Sequence, residues 1–321
     1  MISKTSSSSS LVDVAIDKAA KAILSASHLY FTAGAGMGVD GGLPDFRGKN
    51  GFWKAYPPMQ KLGLEFHQMS NPKWFDKDPT LAHGFFGHRY DLYTTKKPHE
   101  GYYILKEFSQ LPHIQDYFVF TSNVDGHFPQ VFPANKIVEC HGSILHLQCT
   151  KPCNENIYTV EQHNQKCPPE QRYPLFVDPE TFKVDAKCMP RCPECGALAR
   201  PNILMFGDSY WISSRCDDQE ERLSQFVRAM YKSDSASHLV TIEIGAGKGV
   251  PTVRMESETK VARFHESSKK AKGTLIRINP TDSDFPSDFP EECGVSIELG
   301  GSVALQKIKA RMAELRNFSS H

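Results

Sequence analysis

LYFTAGAGMGVDGGLPDFRG, Leu29 to Gly48, carries a short apolar run into glycines and then into Pro44-Asp45-Phe46-Arg47. A strand that ends in Gly34-Ala35-Gly36 leaves backbone N–H groups uncovered, and such groups favour a phosphate anion. Behind them a carboxylate and a guanidinium stand two residues apart, after a proline that stiffens the turn. The stretch reads as a nucleotide-binding loop, with an internal Asp45–Arg47 ion pair as the alternative to direct ligand contact.

Gly36-x-Gly38-x-x-Gly41 also fits the dinucleotide fingerprint of hydride-transferring enzymes. That fingerprint should open a helix directly and be followed about 20 residues later by an acidic residue ending a second strand. Here the glycines run into Pro44, and Gly51 to Pro58 reads as aromatic loop, so a plain hydride-transfer reading loses ground.

Outward from this loop the chain alternates. Val12, Ile16, Ala19 and Ile23 form one helical face before the strand, with serines ahead of them available as a cap and residues 1–10 read as a flexible tail. Pro72 to Tyr93 mixes Phe, Trp, His and Tyr at roughly helical spacing. Most of these aromatics read as core, whereas Arg89 reads as a surface or core-edge residue with a ligand channel as its other possible place. Further strands follow at Tyr117–Thr121, Lys136–Cys140, Ile203–Phe206, His238–Ile244 and Leu275–Ile278, the first of them apolar throughout, as expected of a strand buried on both faces. Tyr117–Thr121 empties into Ser122-Asn123-Val124-Asp125-Gly126, Lys136–Cys140 into His141-Gly142-Ser143, and His238–Ile244 into Gly245-Ala246-Gly247. In an open α/β sheet that edge is where ligands bind. The expected fold is α/β: a Rossmann-like parallel sheet with helices on both faces, discontinuous over 11–146 and 200–318, with a small inserted module at 147–199.

The charges balance at 37 Lys+Arg against 37 Asp+Glu in 321 residues, so nothing advertises a nucleic-acid or membrane partner. No apolar run approaches the roughly 18–20 residues of a membrane span, and the N-terminus lacks the apolar centre of a secretory signal. Six of the nine cysteines lie between Cys149 and Cys195, an odd and clustered set that argues for metal ligands in an intracellular, reducing compartment, cytoplasmic or nuclear. Cys149-x3-Cys153 and Cys192-x2-Cys195 can present four thiolates to one ion, which describes a closed structural zinc site. Cys167 and Cys188 compete for ligand places. Gly196 favours Cys195, because it permits a tight knuckle turn, and a redox pair is the other reading.

Taken in order, these motifs resemble the sirtuin family of NAD-dependent protein deacylases and ADP-ribosyltransferases: Gly34-Ala35-Gly36 with Pro44-Asp45-Phe46-Arg47, Asn123-Val124-Asp125-Gly126, His141-Gly142-Ser143, the cysteine pairs, Arg200-Pro201 with Phe206-Gly207, then Gly245 and Asn279. The resemblance implies that NAD, as co-substrate, lies against Gly34, Ala35 and Gly36, with Asp45, Phe46 and Arg47 close by. It places Ser122, Asn123 and Asp125 at the nicotinamide end and Gly245, Ala246 and Asn279 on the adenosine side. It further implies that His141 is the general base, that Asn123 and Asp125 assist nicotinamide cleavage, and that an acyl-lysine protein or peptide binds beside Phe206-Gly207 by strand addition.

The chain departs from the family's common pattern at Gly38 and Gly41, where serines are usual, at Ser122 in place of Gln, at Ala246-Gly247 in place of Thr-Ser, and at Asp208 in place of Glu. Each hydroxyl lost from a phosphate contact forfeits roughly 0.5–1.5 kcal/mol. Protein lysine deacylation is the expected activity. Mono-ADP-ribosylation at the same NAD site and a non-catalytic NAD-binding module are the alternatives.

Overall fold

The computed structural model describes residues 5–44, 49–61, 63–232 and 236–318. Asp45, Phe46 and Arg47 lie outside the described residues. A six-stranded sheet in the order β3-β2-β1-β7-β8-β9 is built from β1 (His28–Ala33), β2 (Asp116–Thr121), β3 (Ile137–Glu139), β7 (Ser237–Ile244), β8 (Ala271–Ile278) and β9 (Gly294–Ile297). Every pairing in it is parallel. The sequence order reverses between β1 and β7, and the cleft outside the carboxyl ends at such a reversal is where open α/β sheets bind ligands.

Alternation along β1 explains the two layers of helices. Leu29 and Phe31 join a core with Ile16, Ala19 and Ile23 of the Thr5–Ser25 helix and Leu305, Ile308 and Met312 of the Gly301–Phe318 helix. Tyr30 points to the opposite face and packs with Leu223 and Phe226 of the Ser214–Tyr231 helix and with Phe264 of the Thr252–Ser267 helix. Each such side chain taken fully out of water contributes about 1.5–3 kcal/mol.

The first helix begins at Thr5, so the serines expected to cap it or to form a tail are its first turns. Serine's modest helical penalty is a weak prior once an amphipathic segment has nucleated the helix. Gly51 to Pro58, expected as loop, instead holds the helices Lys49–Ala55 and Pro57–Lys61. Tertiary burial accounts for the difference: Phe52 packs edge-on and Tyr56 tilted against Phe85 of the Pro79–Thr95 helix inside a hydrophobic cluster that also takes in Phe86, Ile144 and Ile203.

The inserted module hangs from a second sheet, antiparallel in the order β5-β4-β6, made of β4 (Gly142–Cys149), β5 (Tyr158–Thr159) and β6 (Ala199–Ile203). β4 and β6 enter and leave the module side by side. Their first and last residues therefore reach back to the end of β3, which brings the aromatic cluster and the module over the same edge of the large sheet.

Candidate active site

Hydrogen bonds between loops lock the carboxyl ends of β1, β2, β3 and β7 together. Gly34 N–H donates to the Ile244 carbonyl and Gly36 N–H to that of Gly245, each at 3.0 Å, and Gly245 N–H donates to Ile278. The expectation that the Gly34 and Gly36 amides stand open to a phosphate is therefore not met. The glycines serve close approach instead. A Cβ on Gly34 would lie 2.7 Å from the Gly245 oxygen, one on Gly36 would lie 2.6 Å from the Gly245 Cα, and one on Gly245, itself at φ +62°, would lie 2.4 Å from Met37 N. The loops after β1 and β7 pack backbone to backbone, which only residues without side chains allow.

A cavity of about 420 Å³ opens beside this double loop. The structure brings Ala35, Ser122, Asn123, Asp125 and His141 into its wall, together with Phe206 and Gly207 from the segment after β6. The turn that carries His141 is pinned on both sides. Cys140 N–H donates to the Thr121 carbonyl at 2.9 Å, Leu204 N–H donates to the His141 carbonyl at 3.0 Å, and Ile144 N–H donates to that of Val124 at 2.9 Å. Gly142 adopts φ +75°, and a Cβ there would meet the Asn202 oxygen at 2.0 Å, so the residue after His141 has to be glycine. Gly34, Gly36, Gly245, Ala246 and Asn279 are not among the residues that line it.

Two polar residues in the wall are built differently. Asn123 Nδ2 donates to the Gly34 carbonyl at 2.9 Å and its backbone N–H donates to Thr121 Oγ1 at 3.0 Å, so this side chain braces the β1 loop. Ser122 is buried and lines the cavity, and its Oγ has no hydrogen-bond partner among the described residues. A buried hydroxyl left unpaired costs free energy until a ligand or water satisfies it.

Asp125 supplies the negative charge. Its Oδ1 accepts from His127 N–H at 2.9 Å. Burial lifts its carboxyl above the ordinary aspartate value, against the opposing pull of His127, Arg89 and His99. Arg89 is only 4% exposed and shares the cavity wall, so it is a core-edge residue beside the cavity and not a surface one. It is fixed by hydrogen bonds from Nε (3.2 Å) and Nη2 (2.8 Å) to the Tyr93 hydroxyl and by the faces of Phe66, Phe85 and Phe86. Tyr93 lines the cavity as well, and the sequence offered only its one-turn spacing from Arg89 as a signal.

On the far side of the double loop Asn279 is occupied by the fold: Nδ2 donates to the Ala246 carbonyl at 3.0 Å, and Oδ1 accepts from the N–H groups of Thr281 and Asp282. The β7 loop carries Lys248, whose Nζ lies 2.8 Å from Asp284.

In the module, the ligand atoms of Cys149, Cys153, Cys192 and Cys195 all lie within 4.8 Å of one another. Sγ atoms are 3.6 Å apart between Cys149 and Cys195 and 3.7 Å apart between Cys153 and Cys192. Sulfurs around a tetrahedral zinc with bonds of about 2.3 Å stand roughly 3.8 Å apart, so the four thiols fit that ion. Cys167 and Cys188 are outside the cluster, and Gly196 takes the left-handed turn, φ +73°, expected of it. The set closes the coordination sphere and leaves no open position for chemistry. Among the described residues no helix is long and apolar enough to cross a membrane.

Comparison with known proteins agrees with this construction. A protein deacylase described as NAD-dependent, from Pyrococcus abyssi (strain GE5 / Orsay), is 30% identical over 193 residues, which span 60% of this chain and 66% of that protein. A second NAD-dependent protein deacylase, from Leptospira interrogans serogroup Icterohaemorrhagiae serovar Lai, is 26% identical over 255 residues, 79% of this chain and 82% of the relative. Among solved structures, a Sir2 homolog–NAD complex superposes with a TM-score of 0.60 at 20% identity, covering 93% of this chain and 94% of that one, a likeness of fold. The model of the Sir2 family matches residues 34–229, more than half of the chain and every strand end that builds the cavity except that of β7. The chain belongs to the Sir2 family.

Proposed function

We propose that this chain is a zinc-containing, NAD-dependent protein lysine deacylase. The observation that carries the reading is a cavity at the β1/β7 switch point of a Sir2-family sheet, whose wall gathers Ser122, Asn123, Asp125 and His141 beside Phe206-Gly207. The names of the relatives support it. The four cysteines hold zinc, which ties the module together and takes no part in the reaction.

Each wall residue has work that its chemistry suits. The acyl oxygen of the substrate lysine attacks the anomeric carbon of NAD's nicotinamide ribose as the carbon–nitrogen bond to nicotinamide breaks, and positive charge develops on the sugar. Asp125, ionised and buried, stabilises that charge. His141 takes a proton from a ribose hydroxyl, whose oxygen then bonds to the acyl carbon; the carbon–nitrogen bond to lysine breaks as the amine takes up a proton, and a water molecule opens the resulting cyclic cation to leave the acyl group on the ribose. Asn123 holds the β1 loop in register with this centre, and Ser122 Oγ finds its missing partner on the co-substrate. Ala35, which lines the cavity, meets the phosphates in place of the satisfied Gly34 and Gly36 amides. Asp45, Phe46 and Arg47, which follow in sequence, are further residues for NAD, and Gly245, Ala246 and Asn279 shape the adenosine side. Arg89 adds a fixed cation to the cavity, which suits a carboxylate-bearing acyl group.

The test is release of nicotinamide from NAD by purified protein with acetyl-lysine and succinyl-lysine peptides, products being identified by mass spectrometry. Peptide-dependent nicotinamide release with an acylated ADP-ribose product, abolished by His141→Ala, is expected. Absence of peptide-dependent turnover across the acyl panel sinks the reading, and label passing from adenylate-labelled NAD to a protein without an acylated product assigns the mono-ADP-ribosyltransferase activity instead.

A further inference from the structure

A second cavity, of about 300 Å³, lies on the other side of the His141 turn and shares no lining residue with the first. It is enclosed by β3, β4 and the Ser214–Tyr231 helix. Arg215 and Arg222 stand seven residues apart on that helix, two turns along one face, with Gln219 between them. Gln219 Oε1 accepts the Glu139 N–H at 3.0 Å, which seats the helix against the edge strand.

Three nitrogens in this cavity are unpaired. Arg215 Nη1, Arg222 Nε and His146 Nδ1 are each buried at the atom and have no hydrogen-bond partner among the described residues, and all three residues line the same space. Native proteins leave few buried polar atoms unsatisfied, and the two guanidinium nitrogens among these are donors without an acceptor, on residues that line one cavity. Arg215 spends its other amino group, Nη2, on the buried Glu139 carboxylate, which matches its charge. Arg222 makes no ion pair among the described residues, and the remaining carboxylate, Asp218, is exposed at the rim. Burial and Arg215 push the His146 imidazole down to about 4, so it is neutral near pH 7 and offers one N–H as a donor.

We propose that this cavity is a binding site for a small oxyanion of the phosphate class. Guanidinium groups in fork geometry and a neutral imidazole N–H recognise an atom group that presents several acceptor oxygens and net negative charge. An apolar ligand would leave the two guanidinium nitrogens unpaired. The anion stands behind the catalytic turn: Arg215 would touch it through Nη1 while holding, through Nη2, the residue two positions before His141.

Isothermal titration of the full-length protein with inorganic phosphate, against chloride at matched ionic strength, tests the site. Saturable binding at one site is expected, weakened about 10- to 100-fold in Arg222→Leu, the loss of one charge-assisted hydrogen bond. His146→Phe, which keeps the volume and removes the donor, should weaken it as well, so the reading does not hang on one variant's folding. NAD-dependent nicotinamide release in phosphate-free buffer should be unchanged in Arg222→Leu. Absence of saturable heat, or phosphate binding that survives both substitutions and so belongs to another cavity, overturns the proposal.

Discussion

The Arg200–Asp208 pair offers the sharpest test of how the substrate side of the cavity is held. Both side chains are essentially excluded from solvent, at 1% and 0% exposure, and they meet in a two-bond fork, Nη1 to Oδ2 at 2.7 Å and Nη2 to Oδ1 at 2.9 Å. Asp208 also accepts from Tyr210 N–H at 3.1 Å, so it closes the turn at Gly207, φ +67°, that carries Phe206. Leu204 to Asp208 all line the cavity. Removing one partner strands a buried charge, which costs about 3–5 kcal/mol, whereas removing both costs far less than twice that amount. Arg200→Met and Asp208→Ala should each lower the thermal midpoint by about 6–20 °C, taking roughly 2–4 °C per kcal/mol for a domain of this class. In the double variant the two effects should fall short of additivity by about 2 kcal/mol or more. The same variants should raise KM for an acyl-lysine peptide more than KM for NAD, because the loosened segment borders the peptide side. A single substitution costing under about 1 kcal/mol, or an additive cycle, would refute the claim that this fork organises the loop.

Two further outcomes follow from the site. The hydrophobic centre of the module is small, with Leu147, Val160, Tyr173, Leu175, Val184 and Met189 as its buried members, so the metal has to contribute to its folding. Chelation or Cys192→Ser should remove stoichiometric zinc, lower the thermal midpoint and open residues 150–198 to protease, and an unchanged cleavage pattern without zinc would contradict this. For Asp125, the carboxyl raised by burial means that the native state binds its proton more tightly than the unfolded chain does. Its stabilising contribution is therefore fully present below the ordinary value of about 3.9 and is lost as pH rises through the raised folded value. Asp125→Asn should abolish nicotinamide release yet gain stability relative to the parent above that value, and the parent's rate should fall on acidification at a pH above the ordinary aspartate range. A rate limb at the ordinary value would mean that Asp125 is not the titrating group.

Much of this architecture was legible because local and global signals agree. Apolar strands emptying into Ser122-Asn123 and His141 announce a parallel sheet with its ligand edge, and the structure places those residues in one cavity wall. The cysteine spacing and Gly196 single out the four sulfurs that converge. What stayed hidden depends on contacts between segments distant in sequence. The helix at Lys49–Ala55 forms around an aromatic cluster assembled with residues 30 or so positions away, a tertiary override that no local pattern records. Arg89 reads as a surface or core-edge residue because arginines are mostly exposed, and only the ring faces of Phe66, Phe85 and Phe86 decide between the two by fixing it in the cavity wall.

The glycine loop was recognisable as the centre of the site for a reason different from the one that operates there. Phosphate loops and tightly packed backbone crossings both demand residues without side chains, so a string of letters cannot tell them apart. Here Gly34 and Gly36 donate to carbonyls of the β7 strand and loop, and Gly245 would collide with Met37 if it bore a Cβ. The glycines thus fuse the ends of β1 and β7 into one surface at the point where the strand order reverses. Gly38 belongs to the same economy: a Cβ there would press on Leu43 at 2.9 Å and stand 3.6 Å from Asp125 Oδ2. A serine hydroxyl at this position could reach the buried carboxylate, and its absence leaves Asp125 with His127 N–H as its backbone donor and therefore with more of its burial uncompensated. Loop composition and the charge state of the buried Asp125 carboxyl are in this way one property of the cavity wall.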